Sequence, residues 1–537
     1  MRAALALAVA VGRAAADEAA AMHCPVAVVG GGWGGAYFAY RMCVDSATVD
    51  CADVCVFEAN ERFGGRAYST RIEDDPTIKV DVGPYRLRSA GAPTSSGREE
   101  IALGVTEDSL GIATTGYTNP DDPSFRVVDD GLGNNAGFNV PIIAMLDAVA
   151  GAGGRVFTGQ RAAGAFRAPG GSPHELVVRF DTGDIDAVSA DLVFLNTPWA
   201  ALNQMDPTSA LFADSNQTAR ECVEMITGSS VSAKYYVQYE DAWWVTKLGL
   251  TEGSFSQQSE PRLAGRYHDG PLRCVDRAAK TPLTRREVNR RIAHGRAADL
   301  ECSGCLLATY VFSNAGFWLD YQANISDAQT RVPWTPADGP KTSAQQWRRR
   351  GVRGEGMGSP PKVGRRDPAE LLREYHAALL DFHADDLEAA GYSPADIDPP
   401  TWGYQGNWNS VPDLDSISAT SPGSGSWPNP RPGGMTRPEV LRYLMKPVAD
   451  LPIFMGNVDS GQYGAWAEGS LITTERVLAF HLGVEKPSWL SPVRCRDILL
   501  ASGLHSSLRV PAMPLRTGVL RGDGADDGRL EGAAGRV

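Results

Sequence analysis

Short apolar runs, each closed by glycine, proline or a carboxylate, set the rhythm of this chain. Residues 25–29 form a β-rich run that passes at once into Gly30-Gly31-Gly32-Trp33-Gly34-Gly35 and a helical stretch over 36–44. A second run, 54–57, stops at Glu58. Val, Leu, Phe and Tyr gather again at 155–160, 176–180, 190–198, 232–239, 306–312 and 451–457, predicting further strands. The period changes over 368–390. There Leu371, Leu372, Tyr375, Leu379, Leu380 and Phe382 share a helical face between Pro368 and Gly391, predicting one amphipathic helix. The basic segment 277–296 and the stretch 330–366, the latter without apolar periodicity, read as a solvated face or loop, and the Ser/Gly/Pro-rich 418–434 as a loop. The tail 490–537 reads as disordered.

The strand-to-helix junction at 30–35 carries the first chemistry. Gly30, Gly32 and Gly35 form G-x-G-x-x-G directly between a strand and a helix. In that setting the first glycine permits the tight turn, the second lets backbone approach a pyrophosphate, and the third lets helix pack on strand. The helix start then offers N–H groups and the positive dipole end to phosphate. Glu58 suits ribose hydroxyls, and the lack of a basic residue there points to adenosine without a 2′-phosphate. The loop 45–50 absorbs the extra length between Gly30 and Glu58.

The segment Glu58-Ala59-Asn60-Glu61-Arg62-Phe63-Gly64-Gly65-Arg66 resembles the E-A-x-x-R-x-G-G-R signature of the flavin amine oxidases, the family of monoamine, polyamine and L-amino acid oxidases. The resemblance implies FAD, with Gly65 against the cofactor and Arg66 as a cationic fork for its pyrophosphate. Further matches keep the family's order along the chain. Residues 155–198 resemble the strands on the adenine side, with Val156 meeting adenine through its backbone. Residues 451–457 and 464–470 resemble the closing FAD motif, which implies cofactor contacts from Gly456, Asn457 and Ala467. Asn457 stands where the family usually has an acidic residue.

Two matches concern the reaction itself. The strand 232–239 resembles the one whose lysine holds a water against flavin N5, which implies that role for Lys234. The segment 81–87 resembles the one in which L-amino acid oxidases grip the substrate carboxylate, which implies a clamp at Arg86 and a cofactor contact at Gly83. The resemblance also implies that Trp466 belongs to an aromatic wall near the flavin, with Trp402, Tyr404 or Trp408 as candidates for a facing ring.

The implied fold is α/β: a discontinuous Rossmann-type FAD-binding domain (22–90, 135–200 and 435–485) interleaved with an α+β substrate-binding domain (201–434). Residues 91–134 are expected as a helical or loop segment, and insertions are expected near 276–300 and 327–367. The implied reaction is oxidative deamination of L-amino acids to 2-oxo acids, with O2 as acceptor and release of ammonia and H2O2. A polyamine or monoamine oxidase or a related desaturase is the alternative, and an inactive flavin-binding scaffold is the alternative of another class.

Composition narrows the partners. A net charge of −13 argues against a nucleic-acid binder, and no run is long enough for stable membrane insertion. Residues 1–16 resemble a secretory signal peptide, and the sequons at Asn216 and Asn324 are compatible with secretion or an endomembrane lumen. Without such targeting the chain would be a soluble intracellular protein; oligomerisation is open. Nine cysteines, an odd number, leave one thiol unpaired or paired between chains. Cys302 and Cys305 lack a second C-x-x-C at zinc spacing, so they read as a buried thiol or a disulfide from Cys274 to either one, and no metal is expected.

Overall fold

The computed structural model describes residues 22–71, 79–89, 101–169, 175–212, 221, 227–230, 232–259, 261–311, 331–336, 368–408, 424–426, 437–456 and 467–500. Five parallel strands, Val26–Val29 (β1), Val54–Phe57 (β2), Arg155–Phe157 (β3), Leu192–Leu195 (β4) and Ile453–Met455 (β5), form one sheet in the order β5-β4-β1-β2-β3. The four strands other than the edge strand β3 are buried along their whole length. A parallel sheet covered on both faces requires such unbroken apolar runs, which is why they read as strands without alternation.

The helices Trp33–Tyr40 (α1), Val140–Gly151 and Ala467–His481 (α2) cover one face, where Phe38 stacks on Phe194 at 3.9 Å. Helix α1 begins three residues before the predicted start and runs on into a π-helical turn, Arg41–Asp45. The other face packs on a mixed sheet in which Met22–His23 runs parallel to Ala187–Ala190, followed by the antiparallel Leu176–Phe180 and Ala162–Arg167.

A second sheet, built on Ser232–Tyr239, Leu300–Val311 and Trp402–Trp408, is the antiparallel centre of the remaining chain. The helix Pro368–Phe382 seals one of its faces, with Tyr375 stacked on Tyr235 at 4.6 Å.

Three expectations need correction and one is narrowed. Residues 91–134 are not only helix and loop: Thr114–Gly116 and Phe125–Val128 form a three-stranded sheet with Leu87–Arg88. The basic segment contains a folded helix, Arg285–Ala293, because Thr284 and Glu287 close a capping box and Val288 is buried. The amphipathic pattern of 368–390 breaks into Pro368–Phe382 and Ala384–Ala389 at His383, whose ring is buried against Trp243 and Phe255. The tail does not lack structure throughout: Pro492–Leu500 (α3) buries Ile498 and accepts the Arg476 guanidinium at Ile498 O, 2.9 Å. Residues 501–537, both sequons, Cys222, Asn457 and Trp466 lie outside the described residues, as does most of 327–367 and 418–434. Within the last of these, Ser424–Ser426 is a strand paired with Thr227–Ser230.

Three disulfides join Cys24 to Cys55, Cys43 to Cys51 and Cys274 to Cys302, the last being one of the two pairings left open. Cys305 is a buried free thiol. Among the described residues no helix is long and apolar enough to cross a membrane, and no group of three metal-ligating side chains occurs.

Candidate functional site

The turn after β1 brings two loops into contact. Gly30 has φ +104°, and its N–H donates to Phe57 O at 2.7 Å. A Cβ at Gly35 would lie 1.9 Å from Gly30 O, so α1 meets the turn closely enough to admit only glycine. The Gly31 N–H donates to Glu58 Oε2 at 2.9 Å, which fixes the buried carboxylate at the end of β2. Its Oε1 accepts from Asn60 N at 2.9 Å and Asn60 Nδ2 at 2.7 Å.

The second glycine loop lies on the first through Gly64 N to Gly31 O, 2.9 Å. Arg62 braces it, donating to Gly65 O at 2.9 Å and standing 3.9 Å over the Tyr68 ring. Gly32 and Gly65 therefore face each other across the junction, and Arg66, half-buried, follows directly.

Asn196, just beyond β4, ties the helix starts together, a role sequence reading missed. With its amide oriented to satisfy both ends, Oδ1 accepts from Gly35 N at 2.8 Å, and Nδ2 donates to Gly456 O at 2.8 Å and Ser470 Oγ at 3.1 Å. The first turns of α1 and α2, the latter opened by Ala467, thus converge beside Gly456 at the end of β5. A helix cannot satisfy its leading N–H groups internally, and Asn196 takes that of Gly35. Val156 pairs with Val56 at the far edge of the sheet. The Asn-Thr-Pro after a fully apolar run was the signal available for Asn196.

The second sheet meets this cradle at residues 81–86. A Cβ at Gly83 would lie 2.0 Å from Arg66 O, so this segment is pressed onto the Gly-Gly-Arg loop. Lys234 approaches from the other side. Only 2% exposed, its ammonium donates to Asp81 O at 3.0 Å and Gly83 O at 2.5 Å, and stands 3.5 Å over the Tyr85 ring. Two of its three N–H donors are thus spent on backbone carbonyls. Burial pulls the Lys234 ammonium down to about 7; the Asp269 and Asp81 carboxylates oppose that fall, and the Arg86 and Arg266 guanidiniums add to it. Trp408 donates from Nε1 to Val82 O at 2.8 Å, and Tyr404 is buried with its hydroxyl on Gln238 Oε1 at 2.6 Å.

Arg86 is half-buried, its guanidinium carbon 5.0, 4.9 and 4.9 Å from the centroids of Tyr85, Tyr117 and Phe125. Arg266 Nη1 donates to the Tyr85 and Tyr117 hydroxyls at 2.9 Å each, and Tyr85 donates to Asp269 Oδ2 at 2.9 Å. The structure therefore gathers Lys234 and Arg86 into one polar and aromatic cluster. Sequence reading missed Tyr117, Arg266 and Asp269 here; the only hint was an Arg, His and Asp between two glycines at 265–270.

A family profile described as an NAD(P)-binding Rossmann-like domain matches residues 28–95. No curated protein matches the chain. Two solved variants of putrescine oxidase, made in a structure-based redesign of cofactor binding, are similar to it. One has 13% identity and a TM-score of 0.44, the other 14% and 0.45, each over 85% of this chain and 98% of its own. Likeness that distant carries no functional assignment. Sheet order, glycine turn and matched profile show a mixed α/β chain with a Rossmann-like dinucleotide-binding domain.

Proposed function

We propose that this chain is an FAD-dependent amine oxidase whose substrates are L-α-amino acids. The observation that carries the reading is the junction itself: Gly83 packs on Arg66 of the second glycine loop, while its carbonyl holds the buried Lys234 ammonium three residues before Arg86. The residues present fit the cofactor. The two converging helix starts with Gly32, Gly65 and Arg66 suit a pyrophosphate, Glu58 a ribose, and the Val156 backbone an adenine. Gly83, Gly456, Asn457 and Ala467 fall to the flavin half. FAD, when bound, takes a hydride equivalent from the substrate carbon and passes its electrons to O2.

The chain's own residues bind, orient and manage protons. Arg86, already flanked by three rings, offers a planar fork to the carboxylate with little freedom left to lose. Lys234, at about 7, holds or releases a proton near neutral pH and has one N–H left for a water. Tyr85, Tyr117 and Trp466 supply the aromatic wall. A polyamine or monoamine oxidase is the second reading, favoured by the same rings, which also suit an ammonium ion.

The test is a panel of L-amino acids and amines with peroxide detection, repeated with Arg86→Ala. Loss of amino acid turnover with amines untouched supports the clamp; unchanged amino acid turnover removes it. The three disulfides favour folding in an oxidising compartment, in line with a secretory route. Secretion from a eukaryotic host, scored with and without residues 1–16, tests this.

A further inference from the structure

Asp269 has no part in the reading above, yet its environment is costly. It sits in the turn between the strands Leu263–Arg266 and Leu272–Asp276, and its side chain is wholly buried. One oxygen accepts from Tyr85; the other, Oδ1, has no hydrogen-bond partner among the described residues. The adjacent His268 does not neutralise it: Nε2 stays 3.7 Å away, and burial takes that imidazole down to about 4, so it is uncharged at neutral pH. Arg266, one-third exposed, is the ion-pair partner of Asp269 at 3.7 Å from Oδ2, with Nη1 donating to the two tyrosines rather than to the carboxylate. A carboxylate kept in such a place needs positive charge nearby.

The charges facing Lys234 identify that need. From the 79–88 segment come Asp81, Tyr85 and Arg86; from the 263–276 hairpin, Arg266 and Asp269; from its own strand and its neighbour, Tyr236 and Tyr310. Asp81 also counters the lysine, but burial pushes its carboxyl upward, toward the neutral form, against the hydrogen bonds from Ser69, Asn135 and the Phe138 N–H that favour its charge. Arg86 and Arg266 both oppose a charged lysine. Asp269 is the other carboxylate, and it reaches Lys234 through Tyr85: one face of that ring carries the ammonium, and its hydroxyl is held by the carboxylate.

We propose that Asp269 is a positioning residue, a buried counter-charge that lets Lys234 keep a proton near neutral pH and the anchor that fixes the Tyr85 ring between Lys234 and Arg86. Its catalytic consequence rests on the oxidase reading; the charge coupling does not.

Asp269→Asn preserves shape and removes the charge. In the full chain, its effect on the urea unfolding midpoint is expected to be larger at pH 6, where Lys234 is charged, than at pH 9, where it is neutral. The difference corresponds to about tenfold in the unfolding constant, the value of one pKa unit between an ion pair at this range. In a Lys234→Met background that pH dependence disappears. An equal effect at both pH values in both backgrounds overturns the proposal, whether or not any amine is oxidised. For amines that are oxidised, the acid limb of the pH–rate profile moves down by about one unit in Asp269→Asn; an unmoved limb also overturns it. Should Asp269→Asn not fold, Arg266→Gln moves the same ionisation upward, and no movement counts against the proposal.

Discussion

Arg494→Met tests whether the segment beyond Trp489 belongs to the fold. Arg494, 8% exposed, donates from Nη2 to Glu468 Oε1 at 3.0 Å, and Glu468, 5% exposed, also accepts from Ile101 N at 2.9 Å and Ala102 N at 3.1 Å. Methionine keeps much of the stem and deletes the charge. Breaking a buried pair typically costs about 3–5 kcal/mol because the remaining charge has no compensation. Here two backbone donors stay, and protonation sets a ceiling. Neutralising a carboxyl whose ordinary value is 4.5 costs about 3 kcal/mol at pH 7 and about 1 kcal/mol at pH 5.5. Burial already pushes Glu468 upward, and losing Arg494 pushes it further. The penalty is therefore present above the variant's raised value and fades as pH falls toward 4.5. Urea unfolding followed by far-UV circular dichroism should show a loss of about 2–3 kcal/mol at pH 7 and about half that at pH 5.5. No loss at pH 7, or a loss identical at both pH values, would refute the reasoning.

Other expectations follow from single contacts. Gly35→Val puts a branched side chain where a Cβ alone would be 1.9 Å from Gly30 O, so the protein should purify folded in its second sheet but without flavin absorbance. Glu58→Gln removes a charged acceptor, and a charge-assisted hydrogen bond is worth about 1.5–3 kcal/mol, so FAD affinity by fluorescence titration should fall about tenfold or more. Lys234→Met changes the pH dependence of stability. Because burial lowers Lys234 to about 7 against an ordinary 10.5, the unfolded chain binds the extra proton between those values and the native state gains stability as pH rises through them. The variant's thermal midpoint should lack that rise between pH 7 and 9.

What sequence made legible was whatever is local. The strands Val26–Val29, Val54–Phe57, Leu192–Leu195 and Ile453–Met455 announced themselves because strands buried on both faces are continuously apolar. The glycine turn, Glu58 and Gly64-Gly65-Arg66 lie within one βαβ unit and could be read as a unit. The cluster around Lys234 could not: its carbonyl partners are 151 and 153 residues away, and Asp269 meets Tyr85 across 184. Nothing in the local pattern of 81–86 says which side chains from another sheet will close on it. Pro492–Leu500 was misread for a related reason. Its charged residues look solvated in isolation, and only burial against Glu468 and Arg476 turns them into structure. The break at His383 likewise depends on Trp243 and Phe255, far away in the chain.

Whether the dinucleotide cradle and the Lys234–Arg86 cluster form the one oxidase site we propose is decided by anaerobic titration of the FAD-loaded chain. A panel of L-amino acids and amines would be added while the flavin band near 450 nm is watched. An oxidase site of this kind should give bleaching by one or more L-amino acids, recovery of the band on admitting O2, and loss of the amino acid response in Arg86→Ala. A chain that binds FAD but is bleached by no amine would contradict the proposal.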